Sequence, residues 1–145
     1  MKTPPLADAP VRSADDLTGR WHAVLGSAEF DRRSLWLTWF GADGRQLPVV
    51  VPVEDLPLVP DPVLLVGLRE VHGSVVGDQL GGAGHLALAL CRPGEPAITA
   101  ADDDWAEALR SVLDDDRVAG TWTLHLAAGG SVLPLVAAPS GVWTG

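Results

Sequence analysis

One cysteine, Cys91, stands among 145 residues. A single thiol excludes a disulfide framework within the chain and any zinc site built mainly from cysteine. Basic residues are also scarce: 10 Lys and Arg face 19 Asp and Glu, for a formal net charge of -9. The only adjacent basic pair is Arg32-Arg33. A domain this electronegative repels phosphate backbones and anionic lipid, so neither nucleic acid nor a membrane surface is the expected partner. Long apolar runs are missing too. No stretch of about 18 apolar residues is free of Gly, Pro or charge, so no transmembrane helix is expected. Residues 1–10 hold one Lys and three Pro and lack the apolar segment of a signal peptide. These absences together point to a cytoplasmic protein.

What is present is apolar material, 47% of the chain against 20% charged. That is enough for a sizeable core, and the length fits one domain. Ala, Gly, Asp, Val, Leu and Trp abound while Lys is rare, a composition that suggests a bacterial genome of high GC content. The expected organisation is a flexible tail over 1–12, a domain over 13–138 and a second tail over 139–145.

Periodicity and turn chemistry divide the domain. Ser13 and Asp16 have capping-box spacing, and Ala14, Leu17, Trp21, Val24 and Leu25 share one helical face. SLWLTWF (34–40) alternates but is apolar on both sides, which predicts a strand covered on both faces. Ala42-Asp43-Gly44-Arg45 predicts a turn of the Asp-Gly kind, whose two central positions can accept φ > 0. The strand that follows, over 46–53, carries Pro48 and Pro52 and belongs at a sheet edge. Asp61-Pro62 is an N-cap and first-turn pair opening a helix over 62–76, with Leu64, Leu68, Val71 and Val75 as its buried stripe. A glycine-rich loop over 77–84 follows, and HLALALC (85–91) predicts a second buried strand. Thr99 and Asp102 repeat the capping-box spacing ahead of a helix over 99–113 with Trp105, Leu109, Val112 and Leu113 buried. Strands over 121–127 and 131–137 flank a Gly129-Gly130 hairpin signal, and Pro134 marks the second as an edge. The order α-β-β-α-β-α-β-β predicts an α/β fold: one three-layer domain, a mixed five-stranded sheet with helices on both faces.

That order and the residues within it resemble the JAB (MPN) metalloprotease-like domain, in particular its RadC branch, which shares a cytidine-deaminase-like element order. SLWLTWFGADGRQL (34–47) resembles the family's first hairpin. LALALCRPGEPAITAADDDWAEALRSVL (86–113) resembles the strand–loop–helix that bears its signature, and TLHLAAGGSVLPL (123–135) its closing hairpin. The signature is His-x-His-Pro-Ser-Gly followed by Ser-x-x-Asp. The resemblance implies that both His and the Asp bind zinc, while a Glu near the first strands activates water. Here Thr99 and Asp102 match the Ser and Asp, but the His positions hold Ala89 and Cys91. Glu29 and Glu54 are the nearest candidates for the Glu. Alanine cannot ligate, and Cys91 with Asp102 falls short of the three protein ligands that zinc requires. The resemblance therefore implies the scaffold without the metal and without its activity.

The candidate residues each carry a plainer reading. Asp102 reads as the N3 member of a capping box before it reads as a retained ligand. Cys91, ending a buried strand, reads as a small hydrophobe before a nucleophile. His85 and His125, on neighbouring strands, read as hydrogen-bonded polar positions before catalytic ones; with His22 and His72 they show no metal spacing. Gly81-Gly82-Ala83-Gly84 lacks the following helix and Lys-Ser/Thr of a phosphate loop. Asp102-Asp103-Asp104 and Asp114-Asp115-Asp116 read as solvated surface. Trp36, Trp39, Trp105 and Trp122 are expected to face the core and Trp21 its rim, while Trp143 is a candidate partner contact in the C-terminal tail. The expected function is a non-catalytic binding or interaction domain with no cofactor and no metal, whose partner is another protein or a second copy in a homodimer. Two alternatives stand beside it. One is a hydrolase with a site rebuilt around Cys91, Asp102 and His85 or His125. The other is a small-ligand binder in the vacated metal pocket near Ala89.

Overall fold

The computed structural model describes residues 10–25, 30–114, 118 and 120–138. Their elements run α1 (Ala14–Leu25), β1 (Ser34–Phe40), β2 (Gln46–Glu54), α2 (Pro62–Gln79), β3 (His85–Cys91), α3 (Ala100–Leu113), β4 (Thr121–Ala128) and β5 (Ser131–Val136). The strands form one mixed sheet in the order β2-β1-β3-β4-β5. β3 and β4 are parallel, and the other three pairs are antiparallel. The proline-bearing strands β2 and β5 hold the two edges, where a missing amide donor is harmless.

Alternation along the strands builds two unequal cores. Leu35, Leu37 and Trp39 of β1, with Leu86, Leu88 and Leu90 of β3, pack beneath α2 and α3. The other face presents small side chains, Ala87, Ala89, Cys91 and Ala127, and α1 lies there through Leu17, Trp21 and Leu25. Short side chains under a helix leave room for one large one, and Trp21 takes that room as a fully buried ring, not at the rim as expected. Ala14 and Val24, expected on the same buried face, are exposed.

Turn chemistry fixes the joints. Gly129 and Gly130 both have positive φ (56° and 78°) between β4 and β5, as a two-residue hairpin turn demands. In the β1–β2 turn Gly44 is left-handed (φ 81°) and Asp43 is not. Gly44 also meets the chain entering α1. Val11 N–H donates to Gly44 O at 2.7 Å, and a Cβ on Gly44 would collide with Val11 O.

Helix α2 is capped as expected, with Asp61 accepting from Val63 N–H at 3.0 Å. It runs on to Gln79, through three residues of the predicted glycine loop, and its buried stripe is Leu65, Leu68, His72 and Val76. Leu64 and Val75 are half-buried and Val71 is exposed, so the inward face is rotated by about one residue from the expected one. The cause is polar: Trp39 Nε1–H donates to His72 Nδ1 at 3.1 Å within the core. In α3, Trp105, Leu109 and Leu113 are buried as expected, Val112 is half-buried, and Ala106 is buried in addition.

Candidate functional site

The residues matched to the metal signature lie at the C-terminal end of β3 and the start of α3. Thr99 is the N-cap of α3: its hydroxyl accepts from Asp102 N–H at 3.2 Å, and Asp102 Oδ2 accepts from Thr99 N–H at 2.9 Å. That reciprocal pair is the capping box the spacing implied. Composition did not reveal the second partner of Asp102. Arg92, the residue after β3, donates Nε–H to Asp102 Oδ1 at 2.9 Å and Nη2–H to Oδ2 at 2.8 Å. Its remaining donors reach Pro93 O, Glu95 O and Ala97 O at 2.7–3.2 Å. Arg92 thus ties the whole β3–α3 loop to one carboxylate. Burial by itself would raise the Asp102 pKa; the Arg92 hydrogen bonds and charge, with those of Thr99, outweigh it and hold the carboxyl below its ordinary range.

Ala89 and Cys91 point to the opposite face of the sheet, into the cluster under α1, and neither has any exposed surface. Burial pushes the Cys91 thiol up to about 12 against a weaker opposing hydrogen bond with Ser34. Such a thiol is protonated at neutral pH and unreactive.

The two strand histidines are hydrogen-bonded inside the fold. His85 sits at the start of β3, six residues from Cys91, with Nδ1 2.7 Å from Thr121 Oγ1 and Nε2 3.0 Å from Thr123 Oγ1. Burial, then the neighbouring His72 and His125, lower its pKa to about 4. His125 pairs in register with Ala89, and its Nε2 lies 2.9 Å from Thr18 Oγ1 of α1. That hydroxyl donates to Ala14 O at 3.2 Å, so His125 Nε2–H is the donor to Thr18. Nδ1 is then left as a buried acceptor without a partner. Burial lowers the His125 pKa to about 4 as well.

The structure therefore brings His125 and Cys91 to one face of adjacent strands, leaves His85 at the far end of β3, and holds Asp102 across the sheet. Among the described residues, no three His, Cys, Asp or Glu side chains converge as a metal would require. Glu54 ends β2, exposed. Glu29 and Trp143 lie outside the described residues.

One strand over from Ala89 and Cys91, on the same face, lies a cleft of 380 Å³ lined by Phe30, Arg33, Ser34, Trp36, Glu54 and Asp55, with Asp31 and Arg32. Ser34 and Trp36 are the β1 register partners of Cys91 and Ala89. Trp36, expected in the core, is half-buried here and donates its indole N–H to Ser34 Oγ at 3.2 Å. Arg32 pairs with Asp55 at 3.3 Å on the exposed rim. Asp55 holds φ 55°, the one left-handed non-glycine among the described residues. Neither Arg33 nor this cleft was foreseen from the sequence. The adjacent Arg32-Arg33 pair, ahead of a strand whose outward aromatic is Trp36, is the signal that could have found it.

No protein-family model matches the chain, and neither a curated protein nor a solved structure does. No helix among the described residues is long and apolar enough to cross a membrane.

Proposed function

We propose that this chain is a non-catalytic binding domain on a JAB/RadC-like scaffold, acting through contact with another protein. One observation supports the reading above others: Asp102, the surviving counterpart of a metal ligand, has both carboxylate oxygens engaged by Arg92 and Thr99. A bidentate guanidinium–carboxylate pair is already charge-neutral and needs no cation. The positions of the two absent histidines, Ala89 and Cys91, are closed by packing under α1. With the thiol up at about 12, His85 remote from it and His125 Nε2 engaged by Thr18, a rebuilt hydrolytic site has no activated nucleophile.

The partner surface lies where apolar side chains face solvent. Leu58, Val59, Val63 and Val66, around the start of α2, are 52–81% exposed. With a net charge of -9 on the chain, the complementary surface is apolar at its centre and basic at its rim. A second copy of this chain, equally negative, fits that surface less well.

Calorimetric titration of zinc into the full chain tests the non-catalytic reading, with Asp102→Asn as the control. The expected result is no saturable event. A one-site isotherm abolished in Asp102→Asn would overturn it. So would a thiol reagent that modifies Cys91 in the folded protein faster than the chain unfolds.

A further inference from the structure

Two arginines lie near one another at the C-terminal end of β3, and they differ in one respect. Arg92 uses its side-on edge, Nε and Nη2, to grip the two oxygens of Asp102. Arg33 has the same edge, and neither Nε nor Nη2 has a hydrogen-bond partner. Both atoms are shielded from water, so these donors have exchanged solvent for nothing. Burial pushes the Arg33 pKa down and the Arg92 charge adds to this, while Asp102 acts in the opposite direction. Asp102 is already engaged by Arg92 and Thr99. The Nε/Nη2 edge is the geometry that takes a carboxylate or phosphate bidentately.

Arg33 also lines the 380 Å³ cleft described above. That volume is near the low end for small-ligand pockets, about 300–1,000 Å³, and suits one metabolite-sized molecule. Two half-buried aromatics, Phe30 and Trp36, line it as well. Its charges discriminate between anions. Arg32 and Asp55 pair with each other, which leaves Arg33 with the acids Asp31 and Glu54. A dianion such as phosphate is repelled by those two acids and by the chain's net charge of -9. A zwitterion is not: its carboxylate meets Arg33 while its ammonium meets Glu54 or Asp31. Filling the Arg33 edge requires the side chain to turn towards the cleft, and gaining two hydrogen bonds for two unpaired donors favours that turn.

We infer that this cleft binds a small aromatic zwitterion, of the class of a free α-amino acid with a flat side chain, with its carboxylate on Arg33, its ring against Trp36 and Phe30 and its ammonium on Glu54. The inference goes beyond the protein-contact reading and does not depend on it. Zinc binding would overturn that reading without touching this one.

The test uses three probes on the full chain: L-phenylalanine, hydrocinnamate, which lacks the ammonium, and phenethylamine, which lacks the carboxylate. Calorimetry gives the affinities, and the Trp36 indole N–H resonance reports the location. Expected is saturable L-phenylalanine binding that shifts the Trp36 signal, with each truncated probe weaker by about tenfold or more. Arg33→Met removes that binding, Arg33→Lys retains a weakened part of it, and Glu54→Gln weakens L-phenylalanine but not hydrocinnamate. Glu54 is exposed, so its variant keeps the test readable if Arg33→Met fails to fold. No saturable binding of any probe, binding that leaves Trp36 unmoved, or affinity unchanged in Arg33→Lys and Glu54→Gln would overturn the inference.

Discussion

Arg92 makes five hydrogen bonds from a buried position, two to Asp102 and three to loop carbonyls. Removing one member of such a pair leaves the other charged, buried and alone, which costs about 3–5 kcal/mol. Arg92→Met is therefore expected to lower unfolding free energy by about that much in a denaturant titration. Arg92→Met with Asp102→Asn should recover part of the loss, since the second change removes the stranded charge. The two strand histidines are held neutral in the fold by burial. His85 and His125 each fall to about 4 in the folded chain, against about 6.5 when unfolded. Between those values the unfolded state binds more protons, so stability is intact above about pH 6.5 and falls as the pH drops towards 4. The shift corresponds to at most about 3 kcal/mol for each group. Melting temperature measured across that window should decline with acid, and His85→Gln should flatten the slope.

At the scale of the element, local signals were most legible where one chemical demand fixes the answer. Thr99 with Asp102, Asp61 with Pro62, Gly129 with Gly130 and the edge prolines all fall where their sequence context places them. The inward face of α2 was not legible, because Val63, Leu64, Leu65, Val66, Leu68, Val71, Val75 and Val76 surround that helix with apolar side chains. Periodicity cannot choose among such faces; the Trp39 indole chooses by needing His72 as its acceptor. Likewise, Arg92 could not be assigned from sequence, since its partner is set by the path of the 93–99 loop. The joints can be tested. Asp61→Ala should cost about 1 kcal/mol as an ordinary cap deletion. Gly44→Ala should cost more, because it combines a left-handed backbone with a collision against Val11 O. Chemical denaturation of the two variants side by side should show that order, and a milder Gly44→Ala would mean that the 11–44 contact is loose.

For the whole molecule, the sheet has one heavily packed face under α2 and α3 and one thinly covered face under α1. At the end of β3 the two faces are closed by different means. The α1 face is filled with Trp21 and small side chains; the α3 face is neutralised by Arg92 against Asp102. The sequence could place Ala89 and Cys91 on a buried strand and Asp102 in a capping box, but not show that Arg92 engages that carboxylate. A cleft lies one strand away, beside Trp36. The most direct measurement of how Asp102 is held is its carboxyl carbon resonance, followed by NMR through an acid titration with and without added zinc. The expected result is a carboxylate that stays ionised below the ordinary Asp range and does not respond to zinc. Titration in the ordinary range, or a shift that saturates with zinc, would contradict it.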